Sequence, residues 1–192
     1  MDKTLINDFP DGFSHRILAD IKEFEKTVND IYKIFKVEWD GRIVEKSRDL
    51  QFKVLEDKVE LIDQEACRAD IDKFGCKPYT PTPAGATEYL ADFAAIDHSD
   101  VCIAIAWTSF DFQERLGSAF RDQLCAPFIE QSLNGETKFL SGNVGYISWK
   151  GNTFSPSARL TFAHEIGHLA GASHDGDDGN DCIKGVKQKF LF

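Results

Sequence analysis

Basic residues are in the minority in this 192-residue chain: 22 lysines and arginines stand against 32 aspartates and glutamates, a net charge of −10. That balance argues against a nucleic-acid binder, which needs a basic face to meet phosphate. No stretch approaches the unbroken apolar run of about 20 residues that a membrane span requires. The opening Met1-Asp2-Lys3-Thr4 lacks the basic-then-apolar pattern of a secretory leader. The chain is therefore either cytosolic or a piece of a longer secreted precursor. Repeats, low-complexity tracts and a convincing linker are also missing. The only methionine is Met1. What remains is an ordinary apolar content of 42%, enough for one domain over residues 1–192 with its own core.

Periodicity places the elements. Ile17, Ile21, Phe24, Val28, Ile31 and Phe35 recur at steps of four and three, predicting an amphipathic helix with Lys22, Glu23 and Lys26 on other faces. Leu50, Phe52 and Val54 alternate with polar neighbours as in a half-buried strand. Residues 72–85, with Pro78, Pro81, Pro83 and Gly85, read as loop, and Thr87 to Ala95 as a short helix. Val101 to Trp107, almost wholly apolar, suits a central strand covered on both faces. A looser stretch carries Gly117, Gly135 and Gly142; Tyr146 to Trp149 then reads as a short strand. Ser155-Pro156-Ser157 introduces a last helix. Helices and strands alternate, so the fold class is α/β or α+β.

That last helix carries the chemistry. It runs into His164-Glu165-Ile166-Gly167-His168-Leu169-Ala170-Gly171-Ala172-Ser173-His174. His164 and His168, four apart, stack on one helix face and can ligate one Zn²⁺. A catalytic zinc wants a third protein ligand and leaves a position for water. His174 is the obvious third, but a continuing helix would turn it away from the metal. Gly171 resolves this, because glycine takes the left-handed conformation that ends a helix and reverses the chain. Glu165 is the candidate general base: it accepts a proton from water whose pKa the metal lowers to about 7, then passes it to the leaving amine. The five-position match arises by accident on the order of once in 10⁵ such chains.

The motif resembles that of the metzincin zinc metalloproteases. Asp175 after the third histidine is similar to the adamalysin branch, the ADAM and snake-venom reprolysin group. Residues 160–165 resemble the approach to the active-site helix in sheddases of the kuzbanian and TNF-converting type. Residues 100–106 resemble the central strand of that branch, and residues 27–32 its first long helix.

The resemblance implies a zincin fold with a mixed sheet, His164, His168 and His174 as zinc ligands, Glu165 as base, and protein or peptide substrates. It implies that the strand around Tyr146 to Trp149 forms the upper edge of the cleft, pairing with an extended substrate. Trp149 is either part of that edge or a core aromatic. Asp175 is either structural support for the site or a free carboxylate at a turn.

Two departures stand out. The family carries a methionine turn downstream of the third histidine, and Gly176 to Phe192 holds no methionine. The family's opening strand also has no counterpart before Asp2 to Phe9. The expectation is thus a catalytic domain truncated at both ends, part of a longer extracellular or cell-surface precursor, with its C-terminal subdomain largely missing. By the same resemblance Cys102 would bridge to the first strand, and Cys125 and Cys182 to segments further downstream. Cys67 and Cys76 flank a loop and are candidates to pair with each other, which sequence alone does not establish. An odd total of five cysteines suits a fragment of an oxidised protein; a reduced cytosolic protein with five thiols is the competing view.

His15 and His98 read as surface or helix-end histidines. The acidic run Asp175 to Asp181 invites a calcium reading, but it lacks the twelve-position spacing with a closing Glu and reads as a solvated loop. Besides a metalloendopeptidase, a non-proteolytic zinc-binding remnant and a zinc hydrolase of small amides fit the residues; an intact Glu165 favours the first.

Overall fold

In the computed structural model, the described residues are 13–32, 37–39, 42–44, 51–60, 64–70, 72–113, 115–133, 136–148 and 156–174. In chain order the elements are α1 (Phe13–Tyr32), β1 (Val37–Trp39), β2 (Arg42–Val44), a 3-10 turn (Glu56–Lys58), α2 (Gln64–Ala69), α3 (Pro83–Ala94), β3 (Ala104–Thr108), β4 (Gly117–Ala119), β5 (Phe128–Leu133), β6 (Glu136–Ser141), β7 (Val144–Ser148) and α4 (Pro156–Leu169). The mix of helices and strands, with a mixed sheet, is that expected of a zincin-type α/β fold.

The sheet that positions the site has three strands in the order β3-β7-β4. β7 runs parallel to β3, with Ala106 opposite Tyr146, and antiparallel to β4, with Gly117 opposite Ile147. β7 is the centre, and all five of its residues are buried. Two antiparallel pairs, β1-β2 and β5-β6, stand outside this sheet.

Side-chain alternation along the strands divides the core into two layers. On one face, Ala106, Val144 and Tyr146 pack with Tyr89, Leu90 and Phe93 of α3. Those α3 residues follow helical spacing, and the helix starts where Thr82 accepts a hydrogen bond from the Gly85 N–H (3.2 Å) with Pro83 in its first turn. On the other face, Phe24 of α1, Trp107 of β3 and Phe162 of α4 meet ring to ring, with centroids 4.5–5.6 Å apart. The α1 stripe predicted from periodicity turns Phe24 and Val28 fully inward and leaves Lys22, Glu23 and Lys26 exposed. α4 packs against α1, β4 and β7, which is why so much of it is buried.

Four expectations change. Phe52 and Val54 belong to no strand: Asn29 of α1 holds the Phe52 backbone through both its N–H (2.7 Å) and its C=O (2.9 Å), and Glu25 accepts from the Val54 N–H (2.8 Å). Helix side chains thus take the place of a sheet partner. The apolar strand begins at Ala104 rather than Val101 and lies at one side of the three-stranded sheet, with both faces covered as expected. The supposed loose stretch after it forms β4, β5 and β6. Finally, Cys102 is bonded to Cys125, not to a first strand. The Cys125 N–H donates to the Cys102 carbonyl (2.9 Å), which brings the two thiols together. Cys67 and Cys76 pair as the loop between them allows. Leu50, Phe35, Gly135, Trp149, Cys182, the acidic run from Asp175 and the segment Gly176 to Phe192 lie outside the described residues.

Candidate metal centre

α4 places the first two histidines of the group and the turn after it places the third. Pro156 opens the helix, and His164 and His168 project from its last two turns on one face. The helix then closes in a Schellman arrangement: the Ala172 N–H donates to the Gly167 carbonyl (2.8 Å) and the Gly171 N–H to the His168 carbonyl (2.9 Å). Gly171 sits at φ +97°, a left-handed conformation that a side chain disfavours. The reversal carries His174 back over the helix end. Its Nε2 lies 3.2 Å from that of His164 and 3.0 Å from that of His168, while the latter two are 2.9 Å apart.

Three imidazole nitrogens converging at such distances suit a metal ion. A tetrahedral zinc with Zn–N near 2.0–2.1 Å keeps its nitrogens roughly 3.3 Å apart, close to what is observed. Burial, then the neighbouring His168 and His174, push the pKa of His164 down to about 4, so this ring is a neutral donor at physiological pH. His168 Nδ1 lies 2.9 Å from the Ala172 carbonyl. Donation there fixes its tautomer and leaves Nε2 for a metal. No other group of three histidines, cysteines or acids close enough to hold a metal occurs among the described residues. His98 is not part of the group; its ring meets that of Phe93 at a tilt, with centroids 4.4 Å apart and Nε2 3.2 Å from the Phe93 carbonyl. His15 falls within α1, its side chain outside what is described.

The helix end is held from outside by a loop that the sequence did not advertise. The Asp122 N–H donates to the His168 carbonyl (2.9 Å), and those of Gln123 and Leu124 to the Leu169 carbonyl (3.0 Å each). These bonds satisfy acceptors that a helix leaves open at its C-terminus. Arg121 also donates to the Ser173 hydroxyl (3.1 Å), inside the turn that leads to His174. The Cys102–Cys125 disulfide ties this loop to the segment preceding β3.

Glu165 lies beneath, only 3% exposed. Its carboxyl group and the Thr161 methyl group both lie where a Cβ on Gly117 would stand, and Oε2 is buried without a hydrogen-bond partner. Burial pushes its pKa up to about 8.

The strand facing this group is β4, not the segment around Tyr146. β7 occupies the centre of the sheet and so cannot be the cleft edge, correcting the expectation from the resemblance. The Leu116 carbonyl and the Phe120 N–H bond to β7, so by alternation the main-chain groups of Gly117 and Ala119 point outward. Nothing in the alternation of residues 116–120 marked them as a strand; a run of small residues is a weak signal.

Comparison with known proteins agrees with this geometry. A reprolysin model described as Metallo-peptidase family M12 matches residues 1–188. Disintegrin and metalloproteinase domain-containing protein 10 of Xenopus laevis is 26% identical over 187 residues, covering 92% of this chain and 22% of that protein. Those of mouse and human are 27% identical over 190 residues, covering 93% of this chain and 23% of each relative. The chain thus spans less than a quarter of the length of these curated relatives. With the family match running almost end to end and three histidines arranged to hold a metal, the chain belongs to Metallo-peptidase family M12, the reprolysin-type zinc-dependent metallopeptidases.

Proposed function

We propose that this chain hydrolyses internal peptide bonds of extended polypeptides, with zinc held by His164, His168 and His174 and with Glu165 as general base and acid. The observation that carries the reading is the convergence of three imidazole nitrogens within 3.2 Å of one another, two from the helix that also bears Glu165 and one from the turn that follows it. Bound zinc supplies Lewis acidity and lowers the pKa of water to about 7. Glu165 accepts a proton from the attacking water at a carboxylate oxygen, as the water oxygen bonds to the scissile carbon. It returns that proton to the amine nitrogen when the C–N bond breaks. The group must be ionised to act, and a nearby cation favours that form over the neutral one that burial favours.

Substrate orientation follows from β4. The outward main-chain groups of Gly117 and Ala119 offer a strand edge that no other strand among the described residues shares, and an extended peptide extends it by strand addition. Gly117 touches Glu165, so a peptide on this edge lies beside the base. Two disulfides suit an oxidising compartment. Together with relatives named as disintegrin and metalloproteinase proteins, they support action outside the cell or at its surface, on protein ectodomains. No helix among the described residues is long and apolar enough to cross a membrane.

A second reading, metal binding without turnover, is favoured by one observation: Glu165 is almost wholly enclosed, with an oxygen left unpaired. Mass spectrometry of a peptide library incubated with the chain and zinc separates the two. New internal termini that vanish with chelator support the peptidase; an unchanged library with zinc bound supports the second reading.

A further inference from the structure

We propose that Tyr32 is a positioning residue for the metal-holding turn, setting the rotation of α4 through Ala163 and Gly167. The inference rests on the reading of His164 and His168 as metal ligands.

Tyr32 ends α1, and its hydroxyl reaches across 131 positions of sequence to donate to the Ala163 carbonyl at 2.8 Å. The same oxygen lies 2.8 Å from where a Cβ on Gly167 would stand. Ala163 and Gly167 are one helical turn apart, and each immediately precedes a metal-facing histidine. The hydroxyl therefore sits in a notch that only glycine leaves open, between the residues that determine where His164 and His168 emerge. A small rotation of α4 at this notch would swing both imidazoles together, because they lie about 100° further round the same helix.

The tyrosine itself is firmly seated. It is buried, and its ring meets Phe52 edge-on at 5.6 Å. Phe52 is in turn pinned by Asn29, one turn earlier on α1. Burial pushes the hydroxyl pKa up to about 12, so it remains a protonated donor. The ring alone would fill the space between the helices. What the hydroxyl adds is a directional bond to one carbonyl, which fixes a rotation that packing leaves soft.

The notch also fixes the sign of a substitution. Alanine is a better helix former than glycine. At 167 it meets the Tyr32 oxygen at 2.8 Å, and the next neighbour, the Ala172 Cβ, only at 3.7 Å. Remove the hydroxyl and the alanine has room.

The test compares wild type, Tyr32→Phe, Gly167→Ala and the double variant. Zinc dissociation constants come from competition with a chromogenic chelator, and melting temperatures are taken in excess chelator. Tyr32→Phe is expected to weaken zinc binding about tenfold, the scale of losing a group that orients a ligand. Gly167→Ala in the wild type weakens it at least as much. Added to Tyr32→Phe, the same alanine costs less than about twofold, because the contact it violated is gone. A role in packing alone would lower the melting temperatures while leaving zinc affinity untouched, and that result overturns the proposal. So does an alanine penalty of equal size in both backgrounds. Should Gly167→Ala fail to fold, unchanged zinc affinity in Tyr32→Phe suffices to overturn it. If the wild type itself binds no zinc, the metal reading above fails, and this inference with it.

Discussion

The backbone of Gly117 lies directly against the carboxyl group of Glu165: a Cβ at position 117 would come within 2.6 Å of Oε1 and 3.0 Å of the carboxyl carbon. One residue belongs to the strand edge that would receive a substrate and the other to the helix that would hold the metal. Their contact leaves no room for a side chain between the strand and the carboxyl group.

Gly117→Ala therefore displaces either β4 or the Glu165 carboxyl group. Because misplacement of a reacting group by about 1 Å can cost on the order of 100-fold, kcat/KM should fall roughly ten- to a hundredfold with zinc content retained. Steady-state cleavage and metal analysis of the purified variant check this; full activity would mean that the contact is not needed for catalysis.

His168→Ala removes one of the three converging nitrogens. Zinc affinity should drop by about 100-fold or more, beyond the loss typical of mutating a group that merely orients a ligand. In the wild type, zinc at 100 times its dissociation constant should stabilise the fold by about 2.7 kcal/mol, an effect that the variant loses. Calorimetric melting with and without zinc measures both. Equal stabilisation of the two proteins would place the metal elsewhere.

Gly171 occupies φ +97°, where alanine is strained. Gly171→Ala should cost roughly 1 kcal/mol or more in stability. It should also loosen zinc, since the turn that returns His174 depends on this residue. Chemical denaturation and chelator competition report the two effects separately, and loss of neither would show that the turn forms without glycine.

Much of this site was legible in the sequence because it is local. The spacing of His164, His168, Gly171 and His174 encodes a helix, its end and a reversal, and the structure brings the three rings together as that spacing requires. The α1 stripe was equally plain, since one helix face repeats every three to four residues. What the sequence concealed is non-local. Phe52 and Val54 alternate like a strand, but their partners are Asn29 and Glu25 on a helix. β4 is three small residues long, and its identity comes from pairing with β7, about 30 positions away. Asp122, Gln123 and Leu124 cap the helix through backbone N–H groups, which leave no mark on side-chain chemistry. The Cys102–Cys125 bond likewise departs from the pairing that the family resemblance implied.

Glu165 gives a pH test of its own in the metal-free chain. Its folded pKa of about 8 lies above the unfolded value, so the folded state holds the proton more tightly. The stability it contributes is complete below about pH 4.3 and is lost progressively up to about pH 8. Each tenfold difference in proton affinity between the two states is worth about 1.4 kcal/mol, so the loss amounts to a few kcal/mol at most. Glu165→Gln cannot ionise, so its advantage over the wild type should grow from pH 5 to pH 8. Melting curves in chelator at both values decide; a constant difference would mean the carboxyl is better solvated than its burial implies.

The measurement that bears most directly on the central claim is paired zinc content and peptide cleavage for the wild type and Glu165→Ala. Both proteins should hold one zinc, and cleavage should fall by about 100-fold or more in the variant alone, the scale of losing a general base. Undiminished cleavage by Glu165→Ala would contradict it.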